Sequence, residues 1–74
     1  MSENSLIIRI GMALWGESWQ APMARALGIH RDTVQDWRQG RSAPRRGVYG
    51  DLLRLAVERQ AELDDLVEQL TREG

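Results

Sequence analysis

One stretch of this 74-residue chain restricts its fold more than any other: QAPMARALGIHRDTVQDWRQG, residues 20–40. Two glycines, Gly28 and Gly40, stand where helices of two to three turns would end, and each can take the positive φ that closes a helix. The spacing predicts a short helix ending at Leu27-Gly28, a tight turn, and a second short helix from His30 to about Gln39. Ala24 sits in the middle of the first, small enough to let a second helix cross closely. Val34 and Trp37, three apart, fall on one face of the second helix and point back at the first. Chain geometry therefore sets the angle between these helices, and the outer face of the second is left uncovered.

This is the spacing of a helix-turn-helix, the unit that lays its second helix in the major groove of DNA. With glutamine at its start and Ala24, Gly28, Val34 and Trp37 in register, the stretch resembles the helix-turn-helix of the lambda-repressor/Cro-like family, found in phage and prophage regulators. More loosely it resembles small anti-CRISPR-associated repressors and DNA-binding antitoxin domains. The resemblance implies an all-α, compact five-helix domain with a long C-terminal helix, acting as a transcriptional regulator on double-stranded DNA. It implies base-reading side chains at Arg31, Asp32 and Asp36, with Thr33 and Gln35 as helpers. Gln20 would grip phosphate at the start of the motif.

Around the motif, Asn4 or Ser5 is placed to cap a first helix running to about Trp15 and ending at Gly16. Its apolar set is broad, from Leu6, Ile7 and Ile10 to Met12, Ala13, Leu14 and Trp15. Ser18-Trp19 is expected to open the next helix, with Pro22 in its first turn, where a missing N–H does no harm. A loop rich in turn residues and arginine, residues 41–47, follows the motif. Residues 48–72 then read as one long helical stretch without proline. Val48, Leu52, Leu53, Leu55, Ala56 and Val57 are expected to close the core. Tyr49, Ala56, Leu63 and Leu70 share one heptad position, and Leu52, Arg59 and Leu66 share the one three later, a short seam broken by Arg59. So long a helix either folds back as a two-part hairpin or offers Leu63, Leu66 and Leu70 to a second copy as a dimer interface.

Charge sharpens the functional expectation. Net charge is −1, but it is segregated. Residues 20–46 hold six arginines against Asp32 and Asp36, net +4, whereas residues 50–74 hold three arginines against seven acids, net −4. A basic middle beside an acidic tail suggests a polarised molecule. All ten basic residues are arginine, which supplies planar donors suited to phosphate and guanine.

Arg31, in the first turn of the expected recognition helix, is the foremost candidate. It suits a bidentate bond to guanine O6 and N7, a phosphate contact, or plain solvation. Gln35 suits adenine or a phosphate. Asp32 and Asp36 stand one turn apart on the face that would approach a polyanion. Asp32 also fits the positive end of the helix dipole. Asp36 could accept from cytosine N4, hold a neighbouring arginine in place, or face solvent. Arg38, Arg41, Arg45 and Arg46 are expected to track the DNA backbone. On a wheel of about 100° per residue, His30 clusters inward with Val34 and Trp37, and it reads as a helix-capping or packing residue. Trp15, Trp19 and Trp37 read as core rather than as stacking platforms for single strands.

Seventy-four residues make a single domain that buries only about 60% of its unfolded surface, enough for one small core. The absence of cysteine removes disulfides, thiolate chemistry and zinc fingers. There is no membrane-length apolar run and no signal-peptide pattern at the start, so a cytoplasmic location is expected. No nucleophile with its base, phosphate-cradling glycine loop or paired-carboxylate site is visible, which leaves no catalytic, metal or cofactor expectation. The expected function is a sequence-specific repressor that binds a palindromic operator as a homodimer. The alternative is an antitoxin or interaction module whose acidic C-terminal helix binds a partner protein.

Overall fold

The computed structural model describes residues 5–74, so the expected cap at Asn4 lies outside the described residues. All regular structure among them is helical: α1 (Ser5–Trp15), α2 (Gln20–Leu27), α3 (Arg31–Gln39) and α4 (Arg46–Glu73). None of these helices is long and apolar enough to cross a membrane.

α1 buries Ile7, Gly11 and Leu14, a one-sided stripe at i, i+4 and i+7. Leu6 and Met12 of the broad apolar set remain exposed. α2 begins at Gln20 rather than at Ser18-Trp19. Trp19 is its N-cap residue, and the Trp19 carbonyl accepts from Met23 N–H at 3.0 Å. The Trp19 side chain is buried in the core instead of lying along the helix. Pro22 falls third in α2, among the residues whose N–H has no intrahelical partner.

Both helix ends of the motif close in the same way. Gly28, at φ +68°, donates its N–H to Arg25 O at 3.3 Å while Ile29 N–H reaches Ala24 O at 3.0 Å. Gly40, at φ +77°, donates to Trp37 O at 3.1 Å while Arg41 N–H reaches Asp36 O at 2.9 Å. These are two Schellman closures, each satisfying two carbonyls that a bare helix end would leave unpaired. They turn the chain sharply enough for α2 and α3 to pack on each other more extensively than any other helix pair. Ala24, Val34 and Trp37 are buried at that crossing, with Ile7, Trp19, Met23 and Leu52 completing the core. Pro44 is buried in the connection to α4.

α4 runs 28 residues without interruption, a span of about 42 Å at 1.5 Å per residue. It differs from the sequence expectation in several respects. It covers 46–73 rather than 48–72, and it does not fold back as a hairpin. Because it stays continuous, there are four helices among the described residues and not five. Gly47 and Gly50 lie in its first turns, and nothing after them breaks a helix. Pairs one turn apart, Glu68 with Arg72 at 3.2 Å and Asp65 with Gln69 at 3.1 Å, add local support to the tail. The molecule is consequently elongated rather than compact, 47 × 23 × 21 Å with a radius of gyration of 14.2 Å, against roughly 11 Å for a compact chain of this length.

Only the first half of α4 meets the other helices. Its inward face carries Leu52, buried, with Val48 and Leu55 partly buried beside it. Leu53 and Val57, expected in the core, are exposed at 66% and 53%. Arg59 does not break a seam. Its guanidinium donates to Leu14 O at 3.0 Å, satisfying a carbonyl in the last turn of α1 and placing a cation at the negative end of that helix. Every residue from Gln60 onward is exposed.

Candidate nucleic-acid interface

α3 owes its start to an unusual cap. His30 is not helical: with φ −75° and ψ 142° it is extended, and its Nδ1 accepts from Asp32 N–H at 3.1 Å. The ring is therefore exposed at the helix N-terminus, 76% accessible, and not packed inward with Val34 and Trp37 as the wheel suggested. Val34 and Trp37 hold α3 to the core, which leaves the opposite side of the helix facing outward.

That outward side divides into an edge, a centre and a far edge. Arg31, Asp32, Gln35 and Arg38 face an open cleft of about 620 Å³, whose other wall is made by Gln20 and Trp19 at the start of α2, Glu17 before it, and Ile8 and Met12 of α1. Five of the sequence candidates thus come together: Gln20, Arg31, Asp32, Gln35 and Arg38. Thr33 falls on the far edge. It lines a separate hollow with Arg45, Trp37 and Val48 against the α3–α4 connection.

Asp36 belongs to neither. It is half-buried near the end of α3, and its Oδ1 takes the Arg41 guanidinium at 3.3 Å. Of the roles open to it from the sequence, holding a neighbouring arginine is the one with geometry behind it. Arg31, Arg38, Arg45 and Arg46 form no ion pair among the described residues. Arg45 is the N-cap residue of α4 and Arg46 its first helical residue, both exposed.

Electrostatically the cleft is mixed. Two guanidiniums, Arg31 and Arg38, stand with two carboxylates, Glu17 and Asp32, and with two amides, Gln20 and Gln35, that both donate and accept. Glu17, Ile8 and Met12 were not singled out from the sequence. Ile8 and Met12 are one turn apart on α1, and that spacing was the available signal; nothing in the sequence marks Glu17.

No protein-family model, no curated protein and no solved structure matches this chain. The resemblance to the lambda-repressor/Cro-like motif accordingly rests on the spacing within residues 20–40 and on no matched relative.

On α4, Leu63, Leu66 and Leu70 are all exposed, at 51%, 42% and 70%. Of the positions Leu52, Arg59 and Leu66, Leu52 is in the core and Arg59 is tied to α1, so Leu66 alone faces solvent freely. A second heptad series, Tyr49, Leu53, Ala56, Gln60, Leu63, Val67 and Leu70, spaced alternately by four and three residues, starts partly covered at Tyr49 and Ala56 and is exposed from Gln60 onward.

Proposed function

We propose that this chain is a sequence-specific double-stranded DNA-binding regulator, a repressor that occupies a palindromic operator as a homodimer, with α3 as the recognition helix. One observation carries the reading. α3 is anchored by Val34 and Trp37, and its free side presents Arg31 and Gln35 beside Gln20, with guanidiniums at either end. Such side chains match the donor and acceptor pattern of the major groove, and a helix held from behind is what that groove admits. Arg31 would read a base edge, Gln35 an adenine or a phosphate, and Gln20 a phosphate. Arg38, Arg45 and Arg46 would follow the backbone. Arg41 would join them only when released by Asp36. Asp32 would serve the helix N-terminus, and Thr33 would sit aside from the base-reading edge.

Random-site selection on a duplex library, followed by footprinting of the winning site, tests this reading. The expected result is a site with two-fold symmetry and half-site centres about 34 Å apart. Failure to enrich any duplex sequence would defeat it.

A second reading draws on a different observation: an acidic helical tail exposed along its whole length, with an apolar stripe. A protein-interaction module, including an antitoxin, would use that tail on a partner protein. Loss of duplex affinity with rising salt separates the two, since only phosphate contacts release counterions.

A further inference from the structure

We infer that two copies of this chain pair through antiparallel α4 helices, the tail of each lying in an apolar groove between α1 and α4 of the other. The inference rests on the homodimeric form of the regulator proposed above and specifies how the two copies meet.

The heptad series from Tyr49 to Leu70 on α4 supplies the seam. It runs past the body of the domain, so half of it has nothing of its own chain to cover it. At the body end the same face opens into a groove of about 240 Å³ between Leu6 and Ile10 of α1 and Tyr49, Leu53 and Ala56 of α4, lined almost wholly by apolar atoms. An exposed apolar stripe and an exposed apolar groove on one continuous face mark an interaction surface.

Charge then decides the occupant and its direction. Residues 60–74 hold five acids against Arg72, net −4, while residues 45–59 hold four arginines against two acids, net +2. A parallel pair would set the two −4 tails side by side. An antiparallel pair in the register below sets residues 64–74 of each tail, net −3, against residues 49–59 of the other helix, net 0, with Arg45 and Arg46 just past the tail's end, and opposes the two helix dipoles. This chain therefore carries both halves of a complementary surface, as a two-fold interface requires.

In antiparallel packing, a positions meet d positions. Leu53 then faces Leu70 of the second copy, Ala56 faces its Val67, and Gln60 faces its Leu63. Val67 and Leu70 of each copy are thus delivered to the groove that Leu6 and Ile10 help to form. The two-fold axis falls between Ala61 and Glu62, which sets the two bodies about 28 Å apart along the pair. That is close to the separation of about 34 Å for successive major-groove faces.

The chain has no cysteine, so Thr71→Cys on the full-length protein takes a single spin label. Thr71 is exposed and its hydroxyl bonds only Val67 O within its own helix. Dipolar spectroscopy should give a separation of roughly 30 Å for the antiparallel pair, against roughly 15 Å for a parallel one. Adding Leu70→Glu, far from the core, should abolish the coupling at the same chain concentration.

A short distance, coupling that survives Leu70→Glu, or a monomer by sedimentation at micromolar concentration would overturn the pairing. Titration of the labelled protein with duplex DNA keeps the two proposals separable. Pairing at the long distance without duplex binding defeats only the DNA reading, and duplex binding by a parallel pair defeats only the arrangement.

Discussion

Among the glycines, Gly11 is the one at which an added Cβ would collide with a core side chain, and Gly11→Ala should destabilise the fold. In a helix interior, replacing glycine by alanine ordinarily stabilises by about 0.8–1 kcal/mol. Here the added Cβ would fall on Cδ2 and Cε3 of the Trp19 ring and within 2.9 Å of its Cγ. Trp19 is only 2% exposed and packed into the core. The new methyl is attached to the backbone of α1, so relief requires α1 and the Trp19 corner to separate. Overpacking of this kind costs about 1–3 kcal/mol, and the rigidity of both partners puts it in the upper half of that range. Set against the propensity gain, the net loss is about 1–2 kcal/mol. At about 4–8 °C per kcal/mol for a domain of this size, Tm should fall by roughly 5–15 °C.

Gly50→Ala is the matched control. It lies inside α4, a Cβ there meets nothing within 4 Å, and its φ is ordinary. It should raise Tm by roughly 2–8 °C. Thermal melts followed by circular dichroism, at one fixed chain concentration because oligomers couple stability to concentration, read both variants. If Gly11→Ala raised Tm as Gly50→Ala does, the close packing of α1 on Trp19 would be refuted.

Three further outcomes follow from individual side chains. His30→Ala removes the acceptor for Asp32 N–H and should cost about 0.5–2 kcal/mol in denaturant melts, whereas His30→Asn, a preferred cap, should cost less; equal losses would show that the ring acts by packing. Asp36→Ala frees Arg41 and removes a carboxylate from the side proposed to face DNA, so non-specific duplex affinity should rise and the log–log salt slope steepen by about 0.9 if Arg41 then neutralises one phosphate; an unchanged slope in anisotropy titrations would count against that position for Arg41. Leu63→Glu with Leu66→Glu should leave the thermal transition of the dilute domain in place while sedimentation reports a monomer, since neither side chain is in the core; outright unfolding would show that the tail packs on the body after all.

How far the sequence revealed this structure depended on whether a residue's surroundings were local. Gly28, Gly40, Ala24, Val34 and Trp37 were legible because helix closure and helix crossing impose residue types within a few positions of each other. His30 was not. Sorting by angle treats it as helical, but the cap residue leaves the helical conformation, and its ring swings to solvent to accept from Asp32. Leu53 and Val57 were read as core because periodicity reports an apolar arc and not how much of that arc a neighbour covers. α1 covers only the Leu52 side.

The role of Arg59 depends on Leu14, distant in sequence, so it looked like a flaw in a heptad. Gly11 carries no local signal of its role, because Trp19, which packs against it, comes from the next helix connection. The fifth helix was implied by resemblance alone, and no breaker in residues 51–73 supports it. Within the candidate interface, the resemblance named Gln20 together with the α3 residues, and it set Thr33 among them, whereas the fold puts Thr33 on the far edge. The Asp36–Arg41 pair was open among three alternatives, because ion pairing across a helix end depends on how the turn is closed.

The proposal that α3 reads bases while the α4 end grips the backbone is tested most directly by comparing Arg31→Ala with Arg45→Ala on one selected and one scrambled duplex at several salt concentrations. Arg31→Ala should weaken the selected duplex by about 1–3 kcal/mol per half-site, relax preference at one base pair and leave the scrambled duplex nearly unchanged. Arg45→Ala should weaken both duplexes alike and lower the salt slope by about 0.9 for each phosphate no longer neutralised. The reading is contradicted if Arg31→Ala weakens the two duplexes equally while Arg45→Ala changes their ratio, or if the unmodified protein binds neither.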